Sequence, residues 1–213
     1  MSAHNEIAVS GPPFAFTEDN LAEARRHIAK YPEGRQTSAL LPLLHLAQRQ
    51  NAGFLTLQAL DYIADFLQMP PIRVYEVATF YTMFKLQPMG RHHVEVCTNV
   101  PCWLRGSDDI IGACRSRLGI GPGETTPDGM FTVSEAECLG ACVNAPMMQI
   151  GDDYYEDLTP ETTIAVLDAL ARGETPKAGP QSGRRSAEPA GGLTSLTTLP
   201  GAPQGTGGPG GDA

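Results

Sequence analysis

Hydrophobic residues recur every three or four positions through the first 86 residues, and prolines and polar residues mark the breaks between these stretches. Leu60, Ile63 and Leu67 show this helical spacing clearly, with acidic residues on other faces of the same segment. Segments with the same pattern are NLAEARRHIAK, ALLPLLHLAQRQN, TLQALDYIADFLQ and IRVYEVATFYTMF. Short amphipathic helices in succession predict an N-terminal helical bundle over residues 14–86.

The last of these segments is rich in aromatic residues. Phe80, Tyr81 and Phe84 lie within it, close to the aliphatic Val77. Aromatic side chains bury large apolar areas and most often lie in a protein core. We therefore expect core positions for all three rather than a binding site, since nothing in this segment requires chemistry; packing at the joint between the domains or against a partner is the alternative.

The pattern changes near residue 90 to the alternation that is typical of strands. Val94 and Val96 alternate with polar residues in HHVEVC. A helical segment, LRGSDDIIGACRSRLG, follows, and then come the strand-like MFTVSEAEC and PMMQIGDDYYEDL and the helical TPETTIAVLDALARG. This order predicts a compact α/β domain over residues 90–172, which makes the fold class of the chain α+β.

The last 41 residues have a different composition. Residues 173–213 contain 11 Gly, six Pro and no aromatic residue. Such a segment cannot bury enough apolar surface to offset the entropy lost on ordering the chain. We therefore predict a disordered Gly/Pro-rich tail over residues 173–213.

The charge pattern excludes one class of partner. The formal net charge is -9, and residues 119–171 contain ten Asp and Glu but no Lys or Arg. Binding to a phosphate backbone requires a basic face, so we expect no nucleic-acid partner. The sequence contains no run of about 18 apolar residues, so we expect no membrane span. The first residues also lack the pattern of a secretory signal. These features predict a cytoplasmic protein without direct membrane insertion.

Four of the five cysteines fall at predicted chain reversals. Cys97 and Cys102 bracket CTNVPC after the first strand, and Cys138 and Cys142 bracket CLGAC after the second. Cys114 differs, because it lies in the middle of a helix on its apolar stripe, where we expect a core residue. An odd number of cysteines in a reducing compartment argues against a disulfide framework.

Three kinds of site could use the four loop cysteines. A thiol–disulfide enzyme carries Cys-x-x-Cys at the start of a helix, and neither pair has this spacing. Structural zinc takes four thiolates, but its ligand pairs are typically separated by two residues, whereas the intervals here are four and three. A 2Fe–2S cluster also takes four thiolates, two on each iron. Spacing alone favours the cluster and leaves zinc open. With four cysteines available, we assign no ligand role to His92 or His93.

These cysteine spacings resemble those of the thioredoxin-like 2Fe–2S ferredoxins, and in particular the small 2Fe–2S subunits of respiratory NADH–quinone oxidoreductases (complex I). The resemblance covers about residues 14–172. Segments that carry it are YPEGRQTSALLPLLHLAQRQ, EVATFYTMF, CTNVPC, ECLGACVNAPMMQI and DDYYEDLTPE. It implies that the helical bundle is followed by a thioredoxin-like domain.

The resemblance also implies a function. Cys97, Cys102, Cys138 and Cys142 would hold one 2Fe–2S cluster, and the chain would carry no catalytic residue. FMN and NADH would be bound by an adjoining partner subunit that exchanges single electrons with the cluster. A large iron–sulfur subunit would be a second partner, and the complex would lie at the cytoplasmic side of the inner membrane. Related small subunits of NAD-linked hydrogenases and formate dehydrogenases are the alternative.

Overall fold

The computed structural model describes residues 7, 13–189, 191–192 and 194–195. It divides into two compact units, the first ending at Met89 and the second beginning at Gly90. Among these described residues, no helix has both the length and the apolar composition needed to cross a bilayer. Each unit has its own hydrophobic core, as expected of separate domains.

The first unit is helical. Its α-helices within the described residues are α1 (Glu18–Ile28), α2 (Leu40–Gln50), α3 (Leu57–Leu67) and α4 (Pro71–Phe80). The side-chain hydroxyls of Thr17 and Thr56 accept hydrogen bonds from the backbone N–H groups of Asn20 and Ala59, which caps α1 and α3. The helical N-terminal region predicted from the spacing is thus confirmed.

The core of this unit lies between α2, α3 and α4. Leu43, Leu44, Leu60, Ile63 and Val74 are fully buried there. Because these side chains recur on one face of each helix, their burial holds the helices together. Burying one leucine or isoleucine stabilises the fold by about 1.5–3 kcal/mol.

The aromatic residues at the end of α4 only partly follow the prediction. Phe84 is buried, but Phe80 is 77% exposed and Tyr81 is 41% exposed. The helix ends at Phe80 because Tyr81 adopts an extended backbone conformation. The chain then turns, with the N–H of Phe84 donating to the carbonyl of Tyr81, and only Phe84 returns to the core. The core prediction is therefore wrong for Phe80 and Tyr81, and the alternative, packing at the joint between the domains or against a partner, stays a prediction for them.

Within the described residues, the second unit is built on a five-stranded sheet in the order β2–β1–β3–β4–β5. Its strands are β1 (His92–Cys97), β2 (Phe131–Ala136), β3 (Met148–Ile150), β4 (Asp153–Glu156) and β5 (Gly179–Pro180). β1 and β2 are parallel, while β3 is antiparallel to both β1 and β4. A parallel pair followed by a hairpin agrees with the predicted α/β domain, and the α+β fold class is confirmed.

Three α-helices accompany the sheet in the part of this unit that the structure describes. They are α5 (Val100–Leu104), α6 (Ser107–Leu118) and α7 (Pro160–Ala171). Ile110 of α6 and Leu167 of α7 share a core with Val94 and Val96 of β1. The sequence predicts one helix over residues 104–119, but a left-handed turn at Gly106, with φ of +95°, separates α5 from α6.

The segment after α7 also departs from the prediction. Gly179 and Pro180 form β5, which pairs in parallel with Tyr155 and Glu156 of β4. Backbone and side-chain hydrogen bonds continue from there through residue 188. The prediction of disorder is therefore wrong for residues 173–189, because specific polar contacts replace the apolar burial that its composition lacks. Residues 190, 193 and 196–213 lie outside the described part of the chain.

Candidate metal centre

The first cysteine pair lies at the end of a strand and in the helix that follows it. Cys97 is the last residue of β1, and its N–H donates to the carbonyl of Met147. Cys102 lies in α5, which begins where the Asn99 side chain accepts from the N–H of Val100 at 2.8 Å. Both cysteines are almost fully buried, with exposures of 2% and 1%. Regular structure thus fixes both backbones before any ligand is considered.

The environment of this pair disfavours a free thiolate. Burial, followed by a hydrogen bond with Cys97, raises the pKa of the Cys102 thiol to about 12. Ala145 and Met147 complete a small apolar cluster around the two sulfur atoms. At neutral pH the free thiol is therefore protonated, and binding of a metal would require its proton to be released.

The second pair lies on an irregular loop. Cys138 follows β2 by two residues, and Cys142 begins a short 3-10 turn, Cys142–Asn144. Both are exposed, unlike the first pair. Partial desolvation and the adjacent Cys138 raise the pKa of the Cys142 thiol. The effect of Cys138 on this pKa indicates that the two thiols are neighbours.

Local hydrogen bonds hold this loop. The Tyr154 hydroxyl donates to the carbonyl of Leu139 at 2.7 Å, and the N–H of Asp157 donates to the carbonyl of Asn144 at 2.8 Å. Gly140 has φ of +81°, a left-handed conformation that favours glycine. No protein atom lies within 4 Å of the position that a Cβ of residue 140 would occupy. Glycine is thus required here by backbone conformation and not by crowding from the protein.

The two pairs converge at one end of the sheet. Because β1 and β2 are parallel and Cys97 is opposite Ala136, the chain leaves both strands at the same edge. Cys142 interacts electrostatically with both Cys97 and Cys102. The fold therefore brings together the four cysteines that the sequence singled out.

The arrangement provides the ligand set that a binuclear centre requires. Structural zinc requires four ligands around one ion, whereas a 2Fe–2S cluster requires two thiolates at each iron. Two pairs of neighbouring thiols, each with a buried or partly desolvated sulfur, fit the second requirement.

The other candidate ligands lie elsewhere. Cys114 is fully buried in α6 within the main core of this unit, and burial raises its pKa to about 11. His92 and His93 are at the start of β1, at the opposite end of the strand from Cys97. The His93 ring is 2.7 Å from the hydroxyl of Ser134. These three residues therefore take no part in the cysteine site.

Comparison with known protein families agrees with this geometry. The family described as thioredoxin-like [2Fe-2S] ferredoxin matches residues 24–171, well over half of the chain. The chain belongs to the thioredoxin-like [2Fe–2S] ferredoxin family. Both the cysteine pairs and the sheet strands that carry them lie inside the matched range.

Curated relatives of this ferredoxin-family chain are similar over most of their length. The E subunit of NADH-quinone oxidoreductase from Rickettsia bellii is 58% identical over 157 residues, covering 74% of this chain and 94% of the relative. The mitochondrial NADH dehydrogenase [ubiquinone] flavoprotein 2 of Dictyostelium discoideum is 53% identical over 188 residues, covering 88% of this chain and 76% of the relative.

A solved structure gives a more distant likeness. The NAD+-reducing [NiFe]-hydrogenase in its air-oxidised state matches with a TM-score of 0.54 and 24% identity. The match covers 63% of this chain but only 23% of the hydrogenase chain. At this identity the likeness shows a common fold and nothing more.

Sequence reasoning missed the residues that support the second cysteine pair in this family member. Tyr154 and Asn144 hold the loop through hydrogen bonds, and Arg184 reaches the same loop from the C-terminal segment. Tyr154 alternates with the buried Tyr155 along β4, so strand periodicity could have placed it on the opposite face. No sequence signal distinguishes Arg184 from the adjacent Arg185.

Proposed function

We propose that this chain is the electron-transfer subunit of an NADH–quinone oxidoreductase, with one 2Fe–2S cluster held by Cys97, Cys102, Cys138 and Cys142. The single observation that carries the proposal is the convergence of two pairs of neighbouring thiols at one sheet edge. Relatives named as subunits of this enzyme, at 53–60% identity, support it. Each pair would serve one iron.

When bound, such a cluster takes up and returns one electron at a time. The chain's own residues supply the environment for this step. Cys97 and Cys102 exclude water on one side of the site, because both are buried against Met147. Cys138 and Cys142 lie at the surface, where a partner can approach. Electron exchange with a docked protein requires this combination of a shielded site and a short path to the surface.

The charge around the site favours a low reduction potential. Residues 119–171 carry ten acidic and no basic side chains, of which Glu137 adjoins Cys138, whereas Asp157 and Asp168 are paired with Arg184 and Arg117. Negative charge opposes the addition of an electron to a site that already binds four thiolates. Backbone N–H groups near Gly140 and Ala141 would partly compensate. We expect a potential near or below the value of about -400 mV that is typical of plant-type ferredoxins.

The partners follow from the same proposal. An adjoining subunit would bind FMN and NADH and exchange single electrons with this chain, and a large iron–sulfur subunit would be a second neighbour. The complex would be peripheral to the inner membrane on its cytoplasmic side. The relatives at 53–60% identity favour this assembly over an NAD-linked hydrogenase or a formate dehydrogenase. The hydrogenase likeness concerns the fold alone.

Metal and sulfide analysis tests the cofactor. The purified full chain should contain two irons and two acid-labile sulfides, with visible charge-transfer absorption and a paramagnetic signal after reduction. Cys114→Ala is the matched control, because Cys114 is buried but remote from the site, and it should keep both irons. A colourless protein that contains zinc and no sulfide would contradict the cluster and indicate a structural zinc module instead.

Reconstitution with the partner tests the electron path. NADH should reduce this chain only when the FMN-containing subunit is present, and rapid mixing should show bleaching of the cluster absorption. Co-purification from cells that produce both chains should recover the complex. Reduction by NADH without the flavin subunit, or co-purification with a hydrogenase large subunit instead, would contradict the proposed assembly.

A further inference from the structure

The C-terminal segment of residues 179–189, here named the C-terminal brace, runs from the sheet to the second cysteine pair. It begins as β5 on β4, and the N–H of Gln181 then donates to the carbonyl of Glu156 at 2.8 Å. The family match ends at residue 171. The role of the brace therefore has to be argued from its own contacts.

Arg184 connects the brace to two other parts of the domain. Its Nε and Nη2 atoms donate to the two carboxylate oxygens of Asp157, each at 2.5 Å. Nη2 also donates to the carbonyl of Val143 at 2.8 Å, and Nη1 donates to the carbonyl of Glu188 at 3.0 Å. Val143 is the residue next to Cys142. One guanidinium thus joins the brace, the residue after β4 and the cysteine turn.

A second contact reaches the same turn. The Asn144 side-chain amide donates to the carbonyl of Ser186 at 3.0 Å and to the Glu156 carboxylate at 2.7 Å. Both residues that follow Cys142 are therefore held by groups of the brace. The turn has little regular structure of its own, since the 3-10 turn contains only three residues.

The Arg184–Asp157 pair is largely shielded from water. The side-chain exposures are 16% for Arg184 and 14% for Asp157. Hydrogen bonds between charged groups are stronger than neutral ones, and the planar guanidinium can make several in a fixed geometry. Lysine keeps the charge but cannot make the two-pronged contact while reaching a third oxygen. The contact is therefore specific to arginine.

We propose that Arg184 is a positioning residue for the iron–sulfur site, which fixes the Cys142 turn so that its sulfur stays in place on the exposed side of the cluster. The inference rests on the proposed function, because it assigns Cys142 as a ligand. The buried pair is fixed by β1 and α5, so the exposed pair is where a ligand can detach first. The C-terminal brace restrains the Cys142 turn, which has little regular structure of its own.

Resistance of the cluster to an iron chelator tests the proposal. Full-length wild type, Arg184→Gln and Arg184→Lys are loaded with cluster, and the loss of visible absorption is timed. Loss of a charged hydrogen bond at the turn should accelerate chelator-driven loss about tenfold in Arg184→Gln. Arg184→Lys should behave like Arg184→Gln, because the fork geometry is lost. The visible circular dichroism of the intact cluster should also change.

Arg185→Gln is the matched control. Arg185 is exposed, and its backbone N–H rather than its guanidinium contacts Glu188, so this variant should match wild type. Far-ultraviolet circular dichroism during the measurement shows that the fold persists while the cluster is lost. Wild-type chelation rates and unchanged visible spectra in Arg184→Gln, or full protection by Arg184→Lys, would overturn the positioning role. A wild-type chain that binds no iron and sulfide would instead refute the proposed function.

Discussion

The two cysteine pairs reach the same place by different means. Cys97 and Cys102 are buried and belong to β1 and α5, whereas Cys138 and Cys142 are exposed on a loop between β2 and β3. Secondary structure determines the position of the first pair. The second pair depends on single hydrogen bonds from distant parts of the chain, such as the one from Tyr154.

This difference separates two tasks within one site. The buried pair provides a rigid, water-free side, because a change there would disturb the small core around Met147. The exposed pair leaves the site open to a partner, at the cost of weaker local support. A site that must both protect a cluster and exchange electrons with another protein requires both properties. Variants of the two pairs should therefore differ both in how much cluster they lose and in whether an added ligand can restore it.

The largest expected effect is the response of the two pairs to loss of a ligand. Cys102→Ala should lower cluster content by roughly tenfold or more, because a buried site admits no replacement ligand. Cys142→Ala should lose its cluster too, but an added small thiol should restore much of it, since water and solutes reach that position. Iron and sulfide content with and without 2-mercaptoethanol measures this difference.

The matched control for that comparison is Cys114→Ala, which removes a buried cysteine outside the site. It should keep full cluster content whether or not thiol is added. Equal rescue of Cys102→Ala and Cys142→Ala would show that burial does not distinguish the pairs. If added thiol restores the cluster in neither variant, the position of Cys142 is no more accessible than that of Cys102. That result would contradict the proposed difference between the two pairs.

The next effect concerns the exposed loop alone. Gly140 has φ of +81°, and alanine in this region costs about 1–2 kcal/mol. Asparagine tolerates the left-handed region better than alanine although it is larger. We therefore expect Gly140→Ala to lower cluster stability more than Gly140→Asn, measured as the rate of cluster loss on mild heating. A larger loss with asparagine would indicate crowding at this position in the loaded protein and not backbone strain.

The sequence predicted the buried pair more completely than the exposed one. Alternation in HHVEVC places Cys97 at the end of a strand, because residues on both faces of β1 follow a period of two. The placement of Cys138 after a strand also followed from local pattern. These predictions succeed because they depend only on residues adjacent in sequence.

The supports of the exposed pair could not be predicted in this way. Arg184 contacts a carbonyl 41 positions earlier in the chain, and a composition rich in Gly and Pro indicated disorder for its segment. The break between α5 and α6 was missed because helical spacing continues across Gly106, while its φ of +95° depends on the three-dimensional turn. Exposure of Phe80 was missed because aromatic character alone does not specify which surface it covers.

The smallest expected effect concerns Cys114, a cysteine that is buried but lies outside the site, and it isolates the effect of burial on a thiol. Burial raises the pKa of Cys114 from 9.0 to about 11. A raised folded-state pKa contributes stability that is present below pH 9 and is lost as the pH rises towards 11. At pH 10 the loss relative to pH 8 is about 1 kcal/mol for this group. Cys114→Ala removes this contribution and leaves the other thiols unchanged.

Urea unfolding of the metal-free full chain at pH 8 and pH 10 measures the difference, with Trp103, the only tryptophan, as the fluorescent probe in the second unit. The stability advantage of wild type over Cys114→Ala should shrink by about 1 kcal/mol between the two pH values, because titration of the other thiols is common to both proteins and cancels. An unchanged advantage would mean that Cys114 does not titrate as a buried thiol. If the advantage shrinks as expected, Cys114 is a cysteine as buried as Cys97 that responds only to protons, because the proposed ligand role requires a neighbouring thiol as well as burial.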